Sequence, residues 1–167
     1  MIFLIGLRGS GKTTVGRALA KRSGLPFRDA DAELEARAGR SIRDIFLTDG
    51  EAAFRDLEEQ TLNGLIARGP AVIATGGGVV LREANRARLR AAGKVIWLIA
   101  EADALWQRMH ADSATVEQRP DLSCGGLAEI QEQMRLREPL YRSIADLIID
   151  TGGRSPEEIA TDILAAC

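Results

Sequence analysis

Gly6-Leu-Arg-Gly-Ser-Gly-Lys-Thr13 fits G-x-x-x-x-G-K-[ST], a pattern whose glycines let successive backbone N–H groups turn inward around an anion. Set between an apolar strand and the start of a helix, such a loop also gains the favourable end of the helix dipole. Lys12 then bridges the β- and γ-phosphates, and the Thr13 hydroxyl holds Mg²⁺. The chemistry is the binding of a nucleoside triphosphate. A translation-type GTPase would carry a guanine-reading N-K-x-D, and many ATPases carry an apolar run ending in Asp beside a catalytic Glu; neither is evident in the sequence. With 167 residues, most of the chain must build the nucleotide fold itself, so a small phosphotransferase is the economical reading.

Asp29 and Asp31 stand at the end of a weak strand pattern, on the edge where an open α/β sheet places its ligands. Two acids two apart on an extended chain share a direction. One can orient Mg²⁺ through water while the other accepts from a substrate hydroxyl. The alternative is that Asp31 caps a helix beginning at Ala-Glu-Leu-Glu. Gly76, Gly77 and Gly78 directly follow the apolar run AVIAT, where they would let a ligand approach the backbone and its N–H donors; a plain flexible turn is the competing view. Arg55 beside Phe54, and Arg137 before Glu138-Pro139, are either anion ligands or solvated surface charges.

Elements of the right kind surround these residues. Met1–Ile5, Ala71–Thr75, Val95–Ile99 and Asp146–Asp150 are short apolar runs, read as strands buried on both faces of a parallel sheet. Pro26–Asp29 is a weaker fifth. Helical periodicity marks Lys12–Arg22, Glu51–Arg68, Glu83–Ala91, Ala102–His110, Leu127–Tyr141 and Pro156–Ala166. Capping boxes mark two starts, Thr48 with Glu51 and Ser155 with Glu158, the second with Pro156 at the first helical position. The alternation implies right-handed crossovers and a three-layer α/β/α sandwich in one domain spanning 1–167. His110–Gly126 lacks periodicity and is expected to be a lid.

Composition removes other classes. The sequence is 46% hydrophobic and 28% charged, with a formal net charge of −2, so no overall field favours nucleic acid or an anionic membrane. Folding should bury roughly 70% of the extended chain's surface, enough for a core without disulfides or a structural metal. Cys124 and Cys167 give no disulfide framework, and the lone His110 excludes a His-rich metal site. No apolar run reaches the ~18 residues of a membrane span. MIFLIGL meets Gly6, Arg8 and Gly9 too soon for a signal peptide, so a cytoplasmic location is expected. The basic side chains are all Arg apart from Lys12, Lys21 and Lys94, through coding bias or anion recognition.

GLRGSGKT, DADAEL, GEAAFRDLE, ATGGG, the Arg119-Pro pair and REPLYRSIAD, in this order and spacing, together resemble shikimate kinase. The resemblance runs from Met1 to the last helix. It implies the nucleoside monophosphate kinase fold, with a five-stranded parallel sheet of order 2-3-1-4-5, and ATP-dependent phosphorylation of the shikimate 3-hydroxyl in aromatic amino-acid biosynthesis. By motif, Gly9, Ser10, Gly11, Lys12, Thr13 and Thr14 would hold the phosphates, with Thr13 on Mg²⁺ and Asp29 supporting it through water. Asp31 would bind the substrate hydroxyls, and Arg55 and Arg137 the carboxylate. The Gly77 N–H, within Gly76–Gly78, would meet a ring hydroxyl; Glu51 would hold Arg55, between apolar walls Phe46 and Phe54. Arg119 would swing onto the transferring phosphate, while Arg108, Arg154 and Pro156 would sandwich adenine. A substrate-binding region near 30–60, a lid near 110–126 and a monomeric state complete the expectation. Asp121 departs from the family's R-P-L-L, which bears on lid kinetics. Two other readings compete: another small-molecule kinase on this fold, such as a gluconate kinase, and a non-catalytic ligand sensor. The intact DxD, G-E-x-x-F-R and GGG motifs weigh against both.

Overall fold

The apolar runs become strands in a computed structural model that describes residues 1–111 and 126–166. These strands are β1 (Ile2–Ile5), β2 (Phe27–Asp29), β3 (Val72–Ala74), β4 (Lys94–Ile99) and β5 (Leu147–Asp150). They form one sheet of order β2-β3-β1-β4-β5, and every pairing is parallel. Phe3 lies opposite Ile73 on one side and Val95 on the other, so the chain's first strand is the centre of the sheet. The helices described are α1 (Lys12–Ser23), α2 (Ala30–Ala38), α3 (Ile42–Ala67), α4 (Glu83–Ala92), α5 (Ala102–Ala111), α6 (Leu127–Arg142) and α7 (Pro156–Ala166). None is long and apolar enough to cross a membrane. Arg119, Asp121, Cys124, Cys167 and nearly all of the expected lid lie outside the described residues.

Side-chain alternation along β1 makes the three layers. Ile2 and Leu4 face one core with Val15 and Leu19 of α1 and Ile159 and Ile163 of α7. Phe3 and Ile5 face the other, with Leu62 and Leu65 of α3, Leu89 of α4 and Tyr141 of α6. Both faces of the central strands are therefore buried, as a sheet flanked by helices requires. The edge strand β5 departs from the expectation of two buried faces: only Ile149 is buried. The weaker strand β2, at the other edge, is half-buried throughout. Arg28 secures β2 by donating to the Leu65, Gly69 and Arg68 carbonyls beyond α3, at 3.0, 3.0 and 3.2 Å.

The largest departure lies between residues 30 and 50. Helix α2 forms where the sequence offers a capped helix only as the alternative for Asp31, and a further helical segment from Ile42, the first part of α3, precedes the expected start at Glu51. Ser41 caps it by accepting from the Asp44 N–H, and Ile42, Ile45 and Phe54 close over Leu34 as a small satellite core. Gly50, at φ 81° and ψ 175°, is not helical and divides α3 into two segments, so the second segment begins at Glu51 as expected. Thr48 does not cap that second segment: its hydroxyl donates back to the Asp44 carbonyl at 2.7 Å, and Glu51 turns to Arg55 instead. The other capping box is real. Glu158 accepts from the Ser155 N–H at 2.8 Å, and the Ser155 hydroxyl accepts from the Glu158 N–H at 3.2 Å.

Ser155→Ala should lower stability by about 1 kcal/mol, since it removes a working N-cap. Thr48→Ala should lower it by less than about half of that, because a back-bonding hydroxyl inside a helix contributes little. Urea denaturation of both variants checks the contrast.

Candidate active site

The carboxyl ends of β1, β3 and β2 are neighbours, and each leads into one of the motifs. The loop after β1 turns through Ser10 N–H to Leu7 carbonyl at 3.2 Å and enters α1 just after Gly11. Lys12 lies along this loop, its ammonium donating to the Gly6 and Leu7 carbonyls at 2.9 and 2.7 Å. Ser10 is buried, whereas Thr13 and Thr14 are exposed at the open end of the helix.

Strand β2 ends at Asp29, and the next residue is already helical, so Asp29 and Asp31 are not two teeth of one extended chain. Asp29 has two tasks. One carboxylate oxygen accepts from the Asp31 and Ala32 N–H groups at 3.1 and 3.3 Å, capping α2. The other accepts from the Thr13 hydroxyl at 2.9 Å. The helix cap is therefore Asp29, and Asp31 sits half-buried in the first turn of α2. Among the described residues no cluster of three or more His, Cys, Asp or Glu could hold a metal. The Thr13–Asp29 pair offers oxygen atoms only, which suits a hard divalent cation that takes its remaining ligands from phosphate and water.

Strand β3 ends at the three glycines, all buried. The Arg55 guanidinium lies flat against Gly78, so closely that a Cβ there would stand 2.4 Å from Nη1. Only glycine fits. Arg55 itself is 9% exposed and is held by two carboxylates: Nη1 donates to Glu58 at 2.8 Å, and Nη2 to Glu51 at 3.1 Å. Glu58 is 5% exposed and Glu51 59%, so the inner partner carries the buried half of the charge. Arg55 also lies 5.0 Å from the centroid of Phe54, a ring fully buried in the satellite core; Phe46, 4.5 Å from Phe54, stays half-buried.

On the other side of the glycines, Arg137 of α6 donates to the Gly77 carbonyl at 3.3 Å, and Tyr141, one turn further on, donates to the same oxygen. Beyond Gly78, Arg86 donates to the Val80 and Leu81 carbonyls at 2.6 and 3.2 Å. Glu59 of α3 accepts from both Arg82 and Arg88, whose hydrogen bonds hold its carboxyl below the usual carboxylate range. The turn is thus fastened from α3, α4 and α6 together.

The expected base-binding residues are only partly assembled. Arg108 donates to the Thr151 carbonyl at 2.8 Å, to its hydroxyl at 2.9 Å, and to the Gly9 carbonyl at 3.4 Å, joining the phosphate loop to the segment after β5. Pro156 opens α7 nearby, but Arg154 pairs with Asp162 along the surface of α7. Glu58, Tyr141 and Thr151 were not singled out from sequence. Glu58 could have been, since it stands three residues after Arg55 on one helix face.

The shikimate kinase family model matches residues 8–167 of this chain. A shikimate kinase of Rhodopirellula baltica is 45% identical over 166 residues, covering 99% of this chain and 89% of the relative. Among solved structures, shikimate kinase from Acinetobacter baumannii in complex with shikimate has a TM-score of 0.91 at 37% identity, covering 99% of this chain and 90% of that one. A gluconokinase from Sinorhizobium meliloti, at TM-score 0.61 and 21% identity, shares the fold, covering 98% of this chain and 89% of that one.

Glu58→Ala should destabilise the protein by roughly 3 kcal/mol, because it strands a buried guanidinium. Glu51→Ala, on the solvent side of the same arginine, should cost no more than about 1 kcal/mol. Chemical denaturation of the two variants measures the difference.

Proposed function

The chain belongs to the shikimate kinase family, and from that premise we propose that it transfers the γ-phosphoryl group of ATP to the 3-hydroxyl of shikimate with the residues gathered at the sheet edge. The observation that carries the assignment is the glycine turn, with Arg55 packed on Gly78 and Arg137 bonded to Gly77. Two guanidinium groups on adjacent glycines form a cradle for a carboxylate. The hydroxyl-bearing ring then lies over Gly76–Gly78, toward Asp31.

In-line phosphoryl transfer asks for positioning and charge stabilisation more than for a strong base. Gly9, Ser10, Gly11 and Thr14 would present the phosphate loop's donors to the nucleotide. Lys12 would leave the loop carbonyls and take the β- and γ-phosphates. Mg²⁺, which would neutralise phosphate charge, fits at Thr13, with Asp29 reaching it through water. Asp31 would orient the attacking hydroxyl and accept its proton. Arg119 is assigned by its place before Pro120 to the transferring phosphate. Arg108, Arg154 and Pro156 are assigned to the adenine end, where Arg108 already joins Gly9 to Thr151. We place the enzyme in the cytoplasm as a monomer acting on small molecules alone, in one domain with a lid near 110–126.

ADP release with Mg·ATP is expected to rise strongly with shikimate and not with gluconate or a nucleoside monophosphate. Stimulation by gluconate would overturn the substrate, and ATP binding without any stimulation would point to a sensor. Arg55→Ala and Arg137→Ala should each raise the KM for shikimate by about 10-fold or more while leaving that for ATP within about twofold. Shikimate binding equal to the parent's in both variants would remove the carboxylate cradle.

A further inference from the structure

A buried polar contact to the glycine turn comes from a side chain with no part in the chemistry above. Tyr141 is 1% exposed, its ring stacks on Trp97 at a centroid distance of 5.5 Å, and its hydroxyl donates to the Gly77 carbonyl. Arg137 donates to the same carbonyl from one turn earlier on α6, so a single helix places two donors on one oxygen. The Gly77 carbonyl and the Gly78 N–H share one rigid peptide plane. Fixing that oxygen therefore fixes the face of Gly78 on which the Arg55 guanidinium rests.

The tyrosine borders a cavity. Tyr141, Trp97 and Met134 line a cavity of about 150 Å³ that also reaches Leu7 and Ser10 of the phosphate loop. The stacking with Trp97 and the hydroxyl's bond both bear on the ring's orientation. Without the hydroxyl, Arg137 would be the described donor left to the Gly77 carbonyl, and a substrate carboxylate would have to compete for it.

We infer that Tyr141 is a positioning residue for the acceptor: its hydroxyl holds the Gly77 carbonyl so that Arg137 is free to turn its remaining donors to the substrate carboxylate. This rests on the reading of the site given above. Tyr141→Phe keeps the aromatic stack and deletes only the hydroxyl. It should raise the KM for shikimate by about 5- to 10-fold and leave the KM for ATP within about twofold. Its thermal midpoint should stay close to the parent's. If both KM values and the thermal midpoint moved together, the role would be merely structural and the inference would fail. Arg137→Lys and Tyr141→Phe share an acceptor, so their effects on shikimate affinity should be non-additive; simple additivity would overturn the proposal.

The wild-type protein supplies a test that needs no variant to fold. Tyr141 is the one tyrosine in the sequence, so 3-fluorotyrosine labelling gives a single ¹⁹F resonance. That resonance should shift on saturation with shikimate, and by more than with Mg·ADP. A resonance that shikimate leaves in place would refute the coupling. Failure of the parent enzyme to release ADP in response to shikimate would instead refute the functional reading, so the two failures are distinct.

Discussion

A guanidinium taken out of water must have its charge answered, and Arg55 shows how much structure that demands. Breaking a buried ion pair is far more costly than leaving a charge at the surface. Glu58 answers the charge from within, and Glu51 does so from the solvent side. The guanidinium then needs a flat neighbour, which Gly78 supplies by having no side chain. Gly78 in turn must not drift, and it is held by the bonds to Gly77, Val80 and Leu81 from α6 and α4. The break at Gly50 lets the first segment of α3 fold into the satellite core while the second carries Arg55 and Glu58. One buried guanidinium thus constrains three helices and a turn.

The sheet explains why the cradle faces the phosphate loop. Because β1, β3 and β2 are adjacent and parallel, the residues that follow them all emerge at one edge. Leu4 pairs with Ala74, so the phosphate loop and the three glycines leave the sheet at the same height. The Thr75 N–H and hydroxyl both donate to the Leu4 carbonyl, at 3.1 and 3.0 Å, which ties the two exits together. Asp29 completes the row by accepting from Thr13. The phosphate loop and the glycine turn are therefore neighbours through strand order, and their separation is a property of the sheet.

The sequence was most legible where one local rule decided the outcome. Glycine spacing marked both turns, and runs of β-branched residues marked the central strands. Legibility failed where tertiary context outweighed the local signal. Helix α2 was hidden because its polar face is dominated by charge and only Leu34 is deeply buried. Thr48 with Glu51 has the spacing of a capping box, yet the preceding turn already satisfies the threonine and Arg55 claims the glutamate. The spacing of Asp29 and Asp31 suggests one extended chain or a cap at Asp31, but the helix begins between them and the cap is Asp29. Tyr141 could not be read at all, because its partner Gly77 is 64 residues away.

The excess of arginine over lysine also acquires a structural use beyond anion recognition. Arg28 holds three backbone carbonyls, Arg86 holds two, and Arg108 joins the Gly9 and Thr151 carbonyls across two loops. Each case spreads one planar group over acceptors from separate positions, which a compact ammonium on a flexible stem does less well. These carbonyls lie at turns and helix ends, where no ladder or helical partner reaches them. The same fork that suits a carboxylate or a phosphate also closes the open ends of backbone. Arg137 joins the two uses in one residue: it touches the Gly77 carbonyl now and stands where an acceptor's carboxylate would arrive. A chain that fastens its loops with arginine already holds guanidinium groups at the edge where its anionic ligands must bind.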